Sequence, residues 1–238
     1  MSSSFINSHI SVPGRETKPT PVIVDRMLDL GSDNVDLNSS LQKNLTIHAN
    51  PTLLPDRFFL SFTPIITIRH PARVIPSYLR SLHSIEGHIS DTEFLVAATS
   101  FQWERLVFES FKSFEEARAT EEGREARAPI VVDGEKLVKD PHGQMKKVCE
   151  ALGLDEGGIK YSWDPPKMAA NTRAAETFFG TFNQSTGVVT DARFVKPLDM
   201  QEEVQKWAHE WDESTAAALE KMVASAMEDY EYLFQFSM

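Results

Sequence analysis

The chain has a single cysteine, Cys149, in 238 residues. An internal disulfide is therefore excluded, and the composition suits a reducing compartment. Cys149 lies on a helical pattern and reads as a small core residue. Long apolar runs are also missing: none approaches the ~18 residues a membrane helix needs. The opening Met1-Ser2-Ser3-Ser4-Phe5 has no basic region followed by an apolar core, so no secretory leader is expected and a cytoplasmic location is. Positive charge is scarce, with Lys+Arg 24 against Asp+Glu 35 and a formal net charge of -11. A general nucleic-acid binder needs a basic surface to displace counterions, so that class is set aside. A small anionic ligand is not excluded, because a local basic pocket is enough for it. Among 11 glycines there is no G-x-x-x-x-G-K-[ST] phosphate loop. His142 and His209 have no partners at metal-ligand spacing, so no metal is expected.

What is present is an alternation of strand and helix signals. Residues 1–19 are polar and serine-rich and read as a flexible tail, followed by one domain over residues 20–238. Pro21-Val22-Ile23-Val24 is a weak strand, Leu37–Lys43 a short helix, and Leu45-Thr46-Ile47-His48 a short strand. Ile65–Ile68 is the best strand: β-branched, continuous, and bounded by Pro64 and Pro71. A helix follows, with Val74, Ile75, Tyr78, Leu79 and Leu82 on one face. Pro71 suits its first turn, whereas Pro76 predicts a kink or a restart. One long helix is predicted from about Thr92 to Arg118. The charged run Glu115–Arg127 reads as solvated surface and a loop containing Gly123. Pro129-Ile130-Val131-Val132 is a second buried strand, and Asp133–Val138 and His142–Leu152 read as helices. Residues 156–198 are the least regular. Asp199 opens a terminal helix with capping-box spacing, and Trp207 and Trp211 pack it. Phe101 and Trp103 read as core. This order favours an α/β fold with a parallel sheet flanked by helices.

The chemistry concentrates at Pro64-Ile65-Ile66-Thr67-Ile68-Arg69-His70-Pro71-Ala72-Arg73, with Ser77 eight residues after Arg69. A strand delivers a guanidinium to the sheet edge, where it can hold a phosphate through two parallel hydrogen bonds. The first turn of the next helix is expected to add free N–H groups and the positive end of its dipole. Arg73 and Arg80 add positive charge nearby, and His70 reads as a turn-exposed histidine.

These residues resemble the 3′-phosphate-binding element of the sulfotransferase family, which uses the cofactor 3′-phosphoadenosine 5′-phosphosulfate (PAPS). There an arginine ends a strand, an R-x-P element opens the helix, and a serine follows at the spacing of Arg69 and Ser77. Two further pieces match in order. Val131-Val132-Asp133-Gly134-Glu135-Lys136-Leu137, with Asp140-Pro141 and Leu152-Gly153-Leu154, is similar to the family's acidic strand end, D-P turn and glycine-capped helix. Thr46-Ile47-His48, with Leu53-Leu54-Pro55, is similar to its K-x-H element. The resemblance implies a three-layer parallel sheet of the P-loop type, PAPS as cofactor, and Arg69 and Ser77 on the 3′-phosphate. It implies His48 as the base that deprotonates an acceptor hydroxyl or amine; histidine suits that role by its near-neutral pKa. Within the family the chain resembles in particular the sulfotransferase-like P-loop proteins of fungal secondary metabolism.

Departures keep several functions open. The N-terminal region is short relative to a complete family member. Asp25-Arg26-Met27-Leu28-Asp29-Leu30, after the first strand, offers no glycine for close phosphate approach. Thr46 stands where the family has lysine. The C-terminal arginine–lysine–glycine clasp is not reproduced by Arg173, Ser185-Thr186-Gly187 or Arg193. The first function is sulfuryl transfer from PAPS to a small-molecule hydroxyl or amine. The second is a step without PAPS, such as cyclisation or elimination, with His48 or Glu104 as acid or base. The third is a non-catalytic accessory protein. A homo-oligomer or a partner chain would supply a missing strand edge.

Overall fold

Short β-branched runs build the sheet at the centre of the computed structural model, which describes residues 50–86, 92–165, 172–188 and 197–238. The tail, the Val22–Val24 and Leu45–His48 strands, the Leu37–Lys43 helix and His48 itself lie outside the described residues. β1 (Ile65–Ile68) and β2 (Ile130–Asp133) pair in parallel, Ile66 opposite Val131 and Ile68 opposite Asp133. That register sets the carboxyl ends of both strands side by side. A Cβ built on Gly134 would lie 3.5 Å from the Ile68 carbonyl oxygen and 3.9 Å from Arg69 Cβ.

Side-chain alternation divides the core. Ile66, Ile68 and Val131 join one cluster with Ile75, Phe108, Trp207 and Leu219, whereas Ile130 and Val132 join Val148, Leu137 and Met145 in another. α1 (Asp56–Phe59) precedes β1, and α2 (Pro71–Glu86), α3 (Thr92–Thr99) and α4 (Gln102–Glu122) follow β1 and precede β2 along the chain. After β2 come α5 (Gly134–Lys139), α6 (Pro141–Leu152), a 3-10 turn (Glu156–Gly158), α7 (Arg173–Gln184), α8 (Met200–Glu210) and α9 (Glu213–Phe234). α9 packs on α8, α2, α4 and both strands. Trp207 and Phe108 are fully buried there, each contributing about 2–3 kcal/mol through lost apolar surface. Beyond β2 the chain returns: Ser237 bridges Val131 in parallel, and Met238 N donates to Val131 O at 3.1 Å. No helix among the described residues is long and apolar enough to cross a membrane.

The parallel pairing and the covering helices agree with the expected α/β architecture. Among the described residues, however, the sheet is only two strands wide and the remainder is mostly helical. Local expectations are corrected in four places. Pro76 does not break α2, which runs unbroken with Pro76 fully buried inside it; the ring gives up one backbone bond and gains core contact. The long helix predicted from Thr92 divides at Ser100, whose Oγ accepts from Gln102 N at 3.2 Å and offers the backbone a local alternative. Its second part then continues into the charged run to Glu122, helped by Arg118 pairing with Glu122 at 2.7 Å and Glu115 at 3.7 Å, and stops at Gly123 with φ 65. The terminal helix divides at Trp211, and Asp212 caps α9 by accepting from Thr215 N at 2.8 Å. α7 was not expected. Phe101 is buried as predicted, but Trp103 is 51% exposed.

Candidate functional site at the carboxyl ends of the strands

Where β1 ends, a cavity of about 310 Å³ opens, with Arg69, Glu104, Thr99 and Ser100 among its polar lining and Val74 and Phe101 among its apolar lining. Its place follows from the register: Arg69 continues β1, Gly134 continues β2, and α4 starts at the same level. Carboxyl ends of parallel strands are where open α/β sheets bind ligands.

The first turn of α2 is not an open anion site. Pro71 has no N–H. Ala72 N donates to His70 Nδ1 at 3.2 Å. Arg73 N and Val74 N donate to His70 O at 2.8 and 3.2 Å. The free N–H groups expected there are thus engaged, because His70 caps the helix with both its ring and its carbonyl. A phosphate at this end would be held by side chains and the dipole.

Ser77 is exposed on α2, one turn beyond Val74, so the two share a helix face. Arg69 and Val74 line the cavity, and Ser77 is not among its lining residues. The other two arginines of the segment have different duties. Arg73 is mostly buried and pairs with Glu135 at 3.5 Å. Arg80 Nε and Nη2 donate to Glu210 at 2.7 and 2.8 Å, with its guanidinium over Trp211.

Behind the strand ends sits a polar support. Asp133 is 2% exposed. Its Oδ1 accepts from Glu135 N at 3.1 Å and Lys136 N at 2.9 Å, and its Oδ2 accepts from the Tyr230 hydroxyl at 3.4 Å. The acidic residue at the end of the second strand is therefore a helix cap. Burial pushes the Tyr230 hydroxyl well above its ordinary pKa, and the charges of Asp133 and Glu135 add to that. His70 packs edge-on to Tyr230, ring centroids 5.3 Å apart. It is half-buried rather than turn-exposed, and burial lowers its pKa against the opposing charges of Glu135, Asp133 and Glu231.

Glu104, on the first turn of α4, lines the same cavity. Its Oε2 is sealed from solvent without a hydrogen-bond partner. Burial holds this carboxyl above the ordinary glutamate range, a backbone hydrogen bond opposes the shift, and the charge of Asp229 adds to it. The sequence offered Glu104 only as an acid–base alternative to His48; its place on this cavity comes from the packing of α4.

A larger cavity, about 880 Å³, lies at the opposite end of the strands beside Pro64, Pro129, Arg118, Arg124 and Arg127. Size does not make it the better candidate. Arg118 and Arg124 are engaged by Glu115 and Glu122, and none of the residues singled out for chemistry reaches it.

Residues 55–156 match the sequence model of the sulfotransferase family. Two curated fungal proteins are similar over a longer stretch. One, named sulfotransferase ppzF, from Metarhizium majus (strain ARSEF 297), is 29% identical over 189 residues, covering 77% of this chain and 55% of the relative. The other, of the same name, from Metarhizium rileyi (strain RCEF 4871), is 28% identical over 189 residues with the same shares. The chain spans about half the length of these relatives. No solved structure gives a significant match. The matched residues 55–156, which carry both strands, Arg69, Ser77 and Glu104, are similar to the sulfotransferase family.

Proposed function

We propose that the protein is a sulfotransferase-like small-molecule tailoring protein that grips the 3′-phosphate of PAPS, or of its product 3′-phosphoadenosine 5′-phosphate (PAP), with Arg69 and Ser77. The observation that carries this reading is Arg69 on a cavity at the carboxyl end of β1, with Ser77 on the adjoining helix. The residues fit a phosphate: a planar cation at the strand end, a hydroxyl on the helix that follows, and the amino end of a 16-residue helix. When bound, PAPS supplies the sulfuryl group for transfer to a hydroxyl or amine. His48, outside the described residues, is the proposed base, and the wider three-layer, P-loop-type sheet is the proposed complete architecture. A cytoplasmic role in secondary metabolism, with a second copy or partner chain at the sheet edge, belongs to the same proposal. Among the described residues no glycine-rich loop stands ready for the 5′-phosphosulfate.

A second reading, a small-molecule step without PAPS, draws support from the engaged amides of the first turn of α2, which leave a phosphate fewer donors. Calorimetric titration with PAP separates the two. Wild type should bind, and Arg69→Ala should weaken binding by one to two orders of magnitude. That corresponds to the loss of a charge-assisted contact of about 1.5–3 kcal/mol. A well-folded wild type with no affinity for PAP would sink the PAPS reading.

A further inference from the structure

Gly134 lines the strand-end cavity together with Arg69, Thr67 and Ile68. It is half-buried, the first residue after β2 and the first of α5. Glycine is a poor helix former, because it gives up more backbone freedom on folding than any other residue. The backbone does not ask for it here: Gly123 and Gly153 have positive φ, whereas Gly134 does not. No neighbour excludes a side chain either. A Cβ built at this position would meet Ile68 O at 3.5 Å and Arg69 Cβ and Cγ at 3.9 Å, all ordinary contacts. What the missing side chain leaves is therefore space on the cavity wall. That space lies against the stem of Arg69, so a group bound there would sit beside a phosphate at the guanidinium rather than in its place. The cavity holds about 310 Å³, the low end for a small-ligand pocket, so a single added methyl group takes up room that a ligand would use.

We propose that Gly134 sets the size of what this cavity accepts, its bare backbone leaving room for the nucleoside joined to a phosphate that Arg69 holds. The inference rests on the reading of Arg69 as a phosphate residue. It makes Gly134 a specificity residue that acts by the volume it does not fill.

The test compares wild type, Gly134→Ala and Gly134→Val by calorimetry with PAP. Inorganic phosphate, read by its displacement of PAP, is the control that carries no nucleoside. Thermal melting checks the fold. Gly134→Ala should melt at or above the wild-type temperature, since alanine restricts the unfolded chain and fits the helix. Its Kd for PAP should nevertheless rise about threefold, and that of Gly134→Val about tenfold, the usual scale of overpacking. Phosphate affinity should stay within about twofold of wild type in both variants, because the guanidinium is not displaced. Gly134→Ala decides the matter should the valine variant not fold. Unchanged PAP affinity in both variants would overturn the proposal while leaving Arg69 in its role. An equal loss of PAP and phosphate would also overturn it, by showing that position 134 only makes room for the Arg69 side chain. A wild type without affinity for PAP would overturn both readings.

Discussion

His70 accepts a hydrogen bond from Ala72 N through Nδ1 and packs on Tyr230, so its uncharged ring belongs to the folded state. Its pKa is lowered from 6.5 by burial, with Arg73 adding to the shift and Glu135, Asp133 and Glu231 opposing it. The unfolded chain therefore binds the proton more readily. The stability this ring contributes is fully present above about pH 6.5 and is lost as pH falls through the lower folded value. Urea unfolding at pH 7.5 and pH 5.5 should show a larger loss for wild type than for His70→Asn, which keeps a capping acceptor without the titration. Equal losses would remove His70 from the pH response. At this scale Arg69 was legible, because its role depends on one local fact, its place directly after a β-branched strand. Glu104 was named only as one of two acid–base candidates. Nothing local distinguishes a glutamate that α4 carries into a cavity from one that faces water.

Two helix caps were legible in the sequence, Asp199 by its capping-box spacing and Gly153. Asp133, Asp140 and Asp199 each accept from backbone N–H groups at the start of a helix, although the sequence marked Asp133 only as an acidic strand end and Asp140 as part of a D-P turn. Gly153 ends α6 with φ +66 and would have no atom within 4 Å of an added Cβ. Gly153→Ala should therefore carry backbone strain alone, about 1 kcal/mol, measurable as a shift in the urea midpoint at constant slope. Gly143→Ala is a useful contrast, since its Cβ would lie 2.0 Å from Asp140 Oδ2 and displace that cap. The helix breaks at Ser100 and Trp211 were not legible, because apolar residues recur at helical spacing straight across both. α7 was hidden by a different cause. Its stretch is rich in Gly, Thr and Asn, but Thr172 caps it by accepting from Ala175 N at 3.1 Å, and it packs on α2 with Phe178 against Tyr78.

Across the whole molecule, a net charge of -11 coexists with a cavity whose cation is Arg69. Most neighbouring positive charge is spent on structure, Arg73 on Glu135, Arg80 on Glu210 and Arg105 on Asp229. The returning C-terminal residues complete the edge of β2. Met238 bonds Val131 and packs beside Val132, while Lys136 Nζ reaches Ser237 Oγ at 2.7 Å and its carbonyl at 3.2 Å. Deleting Ser237 and Met238 should lower stability by about 2 kcal/mol, or about 4–8 °C in Tm by calorimetry. An unchanged Tm would show that this edge contributes nothing. The sequence alone determined the two strands, the capped helices after them and the arginine at the strand end, because each depends on residues adjacent in the chain. Tertiary structure alone decided that the amides of α2 are engaged by His70, that the helices break where they do, and that Glu104 and Arg69 line one cavity. Those outcomes depend on which surfaces meet, and the meeting of α4, α9 and the strand ends is a property of packing between segments far apart in the chain.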